Sequence, residues 1–277
     1  MDKNNLSKER KEYLRKLKRD KFLIRFTQVM ILVTFIIAWE LLANFGIIDS
    51  FIASKPSKIA QTFISMLSEG LMMHIGITCL ETLIGFFLGT VIGTLIATLL
   101  WWSPFLSKVL SPYLVVLNSL PKVALGPIII VWVGAGMPAI ITMALAISLV
   151  VTILEMLNGF NSTDEEQIKM AKTFGATKFQ AFTKIVFPSN IPNLINAFKV
   201  NIGLCMVGVI TGEFLVSKGG LGHLIVYGGQ VFKLDLVMTS VIILAIVACI
   251  MYQGILLLGN FIIKKAGFAN TSSSHHN

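Results

Sequence analysis

Charge is scarce in this chain. Asp, Glu, Lys and Arg together make up 13% of its 277 residues, where about 25% is ordinary for a soluble domain. The four histidines, His74, His223, His275 and His276, are scattered, and no H-E-x-x-H or D-x-x-D-G pattern gathers ligands for a catalytic metal. Cys79, Cys205 and Cys249 sit in apolar context without a spacing pattern, which predicts neither a disulfide framework nor a metal site. A G-x-x-x-x-G-K-[ST] phosphate loop is missing, so ATP hydrolysis by that route is excluded. With no Ser/His/Asp constellation in a credible context either, no catalytic residue is nominated. Nor is there an evident internal repeat of the kind many secondary transporters carry.

What the chain has is hydrocarbon. Hydrophobic residues make up 55% of it. They concentrate in six runs, Phe22 to Leu42, Thr78 to Leu100, Tyr113 to Val133, Ala139 to Leu157, Leu194 to Leu215 and Leu236 to Ile263. A hydrocarbon core about 30 Å thick needs roughly 20 apolar residues in a helix. Only helices and closed barrels satisfy backbone groups in lipid, and these runs are too long for barrel strands. The expected fold is therefore an all-α integral membrane protein with six transmembrane helices. Residues 1–21 form a basic N-terminal segment, 22–263 the transmembrane domain, and 264–277 a polar tail.

The net charge of +9 is distributed by side. Lys3, Lys8, Arg10, Lys11, Arg15, Lys16, Lys18, Arg19, Lys21 and Arg25 crowd the start of the chain. Such a bias marks the cytoplasmic face, so with six spans both termini and the loop between spans four and five lie inside. The outer loops hold only Lys55, Lys58, Lys218 and Lys233. Anionic lipid headgroups are the expected partner of the basic segment, and nucleic acid is not. The first span is too long for the apolar region of a signal peptide, about 7–15 residues; it reads as an uncleaved anchor.

Between the spans, Phe51 to Lys58 reads as a turn, and Ile59 to Met73 as an amphipathic helix on the outer surface or beside the bundle. Pro121, Gly126 and Pro127 break span three, with Lys122 at the break. Freed carbonyls there suit a translocation path; a packed kink with Lys122 snorkelling is the other reading. Gly212-Glu213 and Lys218-Gly219-Gly220-Leu221-Gly222 suit a loop folding back into the outer mouth.

The segment from Ser162 to Pro188 is a charged island between two apolar spans. Ser162 or Thr163 with Glu165 or Glu166 predicts a capping box, acids before Lys169 and Lys172 suit the helix dipole, and Gly175 ends or turns the helix. A second helix is expected from Ala176 to Phe187. Tied at both ends to spans, this coupling loop, residues 161–190, suits either a docking partner or the headgroup layer.

The segment resembles the EAA loop of ATP-binding-cassette importer permeases: Glu-Ala-Ala, three residues, Gly, nine residues, Ile, one residue, Leu-Pro. Lys169, Met170 and Ala171 fall at the Glu-Ala-Ala positions, followed by Gly175, Ala176, Ile185 and Pro188; Lys169, Met170 and Phe187 depart from the pattern. Trp39-Glu40-Leu41, Lys55-Pro56-Ser57, Leu120 to Pro127 with Trp132 to Gly136, and Gly212-Glu213 with Gly219 to Gly222 are similar to the nitrate/sulfonate/taurine-type permeases. The resemblance implies a homodimer with a second permease copy, two ATPase subunits that use ATP, an extracytoplasmic solute-binding protein, and a bacterial plasma membrane. The chain itself is then not an enzyme and binds no cofactor. Pro121, Lys122, Glu81 and Glu213 are the candidate path residues, because an ionisable group in a span is costly. The implied solute is a nitrate-, sulfonate- or taurine-like anion or a neutral organic: Glu40, Glu81, Glu155 and Glu213 weigh against nitrate or sulfonate and leave room for a neutral or zwitterionic solute, such as a pyrimidine vitamin precursor, while packing and helix pairing are the other reading of these glutamates. An ion-coupled secondary transporter and a membrane enzyme are the alternatives.

Overall fold

The structure is a computed structural model that describes residues 8–265. The first residues of the basic segment and the tail beyond 265, with His275 and His276, lie outside the described residues. All regular structure among the described residues is helical. In chain order the α-helices are α1 (Lys8–Asn44), α2 (Pro56–Ser68), α3 (Leu71–Trp102), α4 (Pro104–Ser119), α5 (Gly126–Val133), α6 (Met137–Asn161), α7 (Glu165–Thr173), α8 (Lys178–Ala181), α9 (Phe187–Ser189), α10 (Ile191–Val216), α11 (Leu221–Gln230) and α12 (Leu234–Lys265).

Among the described residues five helices are long and apolar enough to cross a membrane, and α4 with the segment Lys122–Val133, bent by 88°, makes a sixth when the pair is counted as one broken span. The chain is a multi-pass helical membrane protein, as the six apolar runs imply. One expectation needs correction. The helix expected over Ile59 to Met73 is interrupted: Gly70 takes φ +91°, a left-handed conformation easy only for glycine. Span two consequently begins at Leu71, a full two turns before Thr78. Span three is broken, as Pro121, Gly126 and Pro127 imply, rather than kinked: α4 stops at Ser119 and Lys122–Leu125 forms a 3-10 turn before α5. The proline at 121 cannot donate to the preceding turn, which is why the chain turns there. The first helix, α1, runs without a break from Lys8 to Asn44.

At the centre lies α6. Half of its most apolar window is buried, against none of the corresponding window in α1. The close packing comes from small residues. On α3, an added Cβ at Gly85, Gly89 or Gly93 would meet Ala144, Ser148 or Thr152 of α6 at 2.8–2.9 Å. On the other flank, Gly208 and Gly212 of α10 lie against the backbone of Ala144 and Ile140. Small residues four apart let helix backbones approach where apolar surface alone gives lipid no reason to leave. By contrast, α1 exposes Phe22, Ile31 and Phe35 along its length, as a lipid-facing helix does.

The short helix α2, at the end of the bundle away from the loop over 161–190, is pinned. Ile59 and Met66 bury α2, and Lys58 pairs with Asp235 at the start of α12 at 2.9 Å. Ser54, fully buried, donates to the same carboxylate at 2.7 Å.

Candidate functional site: the coupling loop and the buried carboxylates

The loop begins with a cap, though not the expected one. Asp164, rather than Ser162 or Thr163, accepts the Glu166 N–H at 2.8 Å, and the acids Glu165 and Glu166 fill the first turn of α7. A carboxylate suits the positive helix end better than a hydroxyl. The end of α7 is a double closure. Gly175 N–H donates to the Lys172 carbonyl at 2.9 Å and Ala176 N–H to the Ala171 carbonyl at 3.0 Å. This is the Schellman arrangement, whose penultimate position demands the left-handed conformation that Gly175 adopts at φ +82°. Ala171, Gly175 and Ala176 thus belong to one turn. Lys169 lies on the outer face and pairs with Glu165 at 3.0 Å.

The second loop helix starts at Lys178, not Ala176, because Thr177 and Gln180 form a reciprocal capping box. It continues through a π-helical turn, Phe182–Val186, into α9. Ile185 sits half-buried in that turn and Pro188 in α9. The inward face is apolar: Ile168, Phe182, Val186 and Phe187 pack with Phe160 and Met156 of α6. The outward face is apolar too. Phe174 is 84% exposed, Phe179 63% and Met170 57%, on a segment otherwise rich in charge.

Asn190 closes the loop and escaped the sequence reading. Its side chain donates to Thr163 Oγ1 and to the Val186 carbonyl, both at 2.8 Å, and accepts from Asn193 at 2.7 Å. Only 3% exposed, it clasps the loop entrance to its exit. The signal available was an asparagine between Pro188 and Pro192 at a helix start.

Pro121 and Lys122 stand at the bend between α4 and α5, where Lys122 Nζ donates to the carbonyl and side-chain oxygens of Asn118, both at 3.3 Å. Glu81 and Glu213 come together elsewhere in the bundle, 4% and 1% exposed. No hydrogen bond or ion pair among the described residues joins the two pairs.

Glu213 serves the start of α11. One carboxylate oxygen accepts from Thr78 Oγ1 at 2.6 Å and the other from the Gly222 N–H at 2.5 Å. Thr78 in turn accepts from the Leu221 N–H at 2.8 Å, and His74 Nδ1 from the Gly220 N–H at 3.1 Å. Three successive backbone donors at a buried helix N-terminus are thereby satisfied. The glycines follow from the crowding: an added Cβ at Gly220 or Gly222 would collide with the Glu213 carboxylate. Glu40 acts likewise at α2, accepting from the Ser57 N–H at 3.0 Å and its hydroxyl at 2.9 Å.

Glu155 differs. It lines a cleft of about 390 Å³ at the loop-side end of α6 and α10, with Asn158, Gly159, Ser162, Asn193 and Asn196.

The described residues thus form a bundle of membrane-length helices with a capped, apolar-tipped loop between α6 and α10, the build of a multi-pass membrane protein. Residues 89–264 match the family described as binding-protein-dependent transport system inner membrane component, and the chain belongs to that family. Its relatives include a probable ABC transporter permease of Haemophilus influenzae, 27% identical over 84% of this chain and 95% of the other. A riboflavin transport system permease of Chloroflexus aurantiacus is 30% identical over 80% of this chain and 83% of its own length. A putative aliphatic sulfonates transport permease of Bacillus subtilis is 23% identical over 76% of each. Within the family the chain is of the nitrate/sulfonate/taurine-like type. The fold is also that of the inward-facing MetNI methionine ABC transporter, with TM-score 0.61 and 23% identity over 71% of this chain and 95% of that one.

Proposed function

We propose that this chain is the permease subunit of a bacterial plasma-membrane importer that takes a small organic solute from an extracytoplasmic binding protein. Two copies, formed from the domain over 22–263, enclose the path, and two separate ATPase subunits bind and use the ATP; the chain itself holds no cofactor. Both termini and the loop over 161–190 face the cytoplasm. The ATPase docks on α7 and the turn that ends it, at Lys169, Met170, Ala171, Gly175 and Ala176, with Ile185 and Pro188 fixing the return to α10. One observation carries this reading. Met170, Phe174 and Phe179 present exposed apolar side chains on a charged, doubly capped segment, and such patches mark interaction sites.

The bend at Pro121 and Lys122 borders the path. Glu81 and Glu213 act on it from behind, by fixing the helices that frame it. For the solute, the cleft at Glu155 favours a neutral or amine-bearing molecule, because it offers a carboxylate and several amides. That supports a flavin- or pyrimidine-like cargo over a sulfonate.

Affinity purification from mild detergent tests the docking. An ATPase with a phosphate-loop motif should accompany the protein and be lost on Phe174→Glu. A clean protein, under conditions that preserve a control importer, would instead favour an ion-coupled transporter.

A further inference from the structure

One helix, α3, is fastened to the coupling loop at one end and to α11 at the other. At the loop end, Lys178 Nζ donates to the Trp102 carbonyl at 2.7 Å. Trp102 is the last residue of α3, where carbonyls lack intrahelical partners and the helix dipole favours a cation. The same ammonium lies 5.6 Å from the Trp101 ring and 5.8 Å from the Trp102 ring, within cation–π range. Phe182 wedges between helices, its ring 5.1 Å from Trp101, 5.9 Å from Trp102 and 5.4 Å from Phe160 of α6.

At the far end, His74 and Thr78 of α3 accept the first two backbone donors of α11 while Thr78 holds Glu213. From His74 to Trp102 the helix is roughly 40 Å long at about 1.5 Å per residue, enough to pass through the hydrocarbon core. Between the ends, Gly85, Gly89 and Gly93 lie so close to α6 that a Cβ has no room. Close-packed helices do not deform gradually, which suits α3 to move as one body between Trp102 and Thr78.

We propose that α3 is the transmission rod of this permease: Lys178 couples it to the loop, Thr78 and Glu213 couple it to α11, and the state of the ATPase thereby sets the position of α11 on the opposite face. Lys178, Thr78 and Glu213 are positioning residues, which touch neither solute nor nucleotide. The proposal rests on the loop being the ATPase dock and adds span two to the two spans that the loop joins covalently. Spatial continuity alone does not establish such a route, so the test measures coupling.

A single cysteine at Gln230→Cys, the exposed last residue of α11, reports on that helix once Cys79, Cys205 and Cys249 are replaced by alanine. The complex retrieved with its ATPase is labelled with a thiol reagent, with and without a non-hydrolysable ATP analogue, and hydrolysis is measured in parallel. The analogue should change the labelling rate at least threefold. Lys178→Met should bring that ratio near one with the ATPase still bound, Lys178→Arg should restore it, and Thr78→Val should abolish it from the opposite end. A full nucleotide response in Lys178→Met and in Thr78→Val would overturn the rod and leave the dock intact. Failure of any ATPase to co-purify would overturn both.

Discussion

Replacing Gly208 by alanine asks whether α6 and α10 meet backbone to backbone. The added Cβ would lie 2.5 Å from the Ala144 Cα, 2.9 Å from its nitrogen and 3.0 Å from the Met143 carbonyl oxygen. Carbon atoms settle about 3.5–4.0 Å apart, so the helices must separate by about 1 Å at this point. Every obstructing atom is backbone, and no rotamer change relieves the clash. A gap of about 0.5–1 Å forfeits roughly a quarter to a half of each dispersion contact around it. Gly212, one turn on and packed on Ile140, lies in reach of the same wedge. Overpacking of this kind costs about 1–3 kcal/mol, a change of about 5- to 150-fold in the folding equilibrium. Gly203, in the same helix, has nothing within 4 Å of its added Cβ. Its alanine variant should be neutral, or stabilised by up to about 1 kcal/mol through helix propensity. Equilibrium unfolding in mixed SDS and mild-detergent micelles, followed by tryptophan fluorescence, reads both. Equal midpoints for Gly208→Ala and Gly203→Ala would refute the close approach.

Gly175→Val forces a β-branched residue to φ +82° at a cost of about 1–2 kcal/mol. ATP-driven uptake should fall while the amount of protein in the membrane stays level, and Gly175→Asn should retain most uptake. Asp164→Ala removes the cap of α7, worth about 0.5–2 kcal/mol, and should lower the yield of co-purified ATPase; Asp164→Asn should not. Glu40→Ala strips the α2 N-terminus of its acceptor, so hydrogen exchange at Ser57 should accelerate while α11 is unaffected. Lys58→Met breaks a half-exposed ion pair and should shift stability by no more than about 1 kcal/mol, well below the Gly208 effect.

Hydropathy made the span count legible because lipid allows few solutions for an unpaired backbone. The boundaries followed less well. Nothing in the composition of Glu69-Gly70 distinguishes a tolerated mid-helix glycine from the left-handed break that it forms, so α2 and the start of α3 read as one helix. Leu120 to Pro127 announced a disruption, but a proline permits either a kink or a full reversal, and the 88° bend depends on what α5 packs against. The Gly85, Gly89 and Gly93 series stands in the sequence at a four-residue spacing that marks a close-packing face, but the spacing does not say which helix meets it; Ala144, Ser148 and Thr152 of α6 do. At the loop, Asp164 displaced Ser162 and Thr163 as the cap because Ser162 closes the end of α6 with its N–H and hydroxyl, Thr163 accepts from Asn190, and α7 starts only at Glu165.

The glutamates show where single-residue reasoning about membranes stops. An ionisable side chain in a span is costly, and that cost points to function. It does not say what the charge faces. Glu40 and Glu213 both face the N-terminus of a short helix, exposed at Glu40 and buried at Glu213, where unpaired N–H groups and the helix dipole supply the complementary charge. Such a pairing removes two costs at once, an unsolvated carboxylate and a set of orphaned donors. It also explains why glycines crowd around Glu213 and why a proline begins α2 after Lys55. Glu155 has no helix start to serve and opens instead on a polar cleft. Of these three carboxylates it is therefore the one the proposed importer would turn toward a solute. Glu155→Gln should alter the apparent KM for an amine-bearing substrate and leave the folding midpoint in place. Glu213→Gln, which keeps the shape but weakens the charge-assisted bonds, should do the reverse. If both variants shift only the midpoint, the division of these residues into solute-facing and helix-capping groups fails.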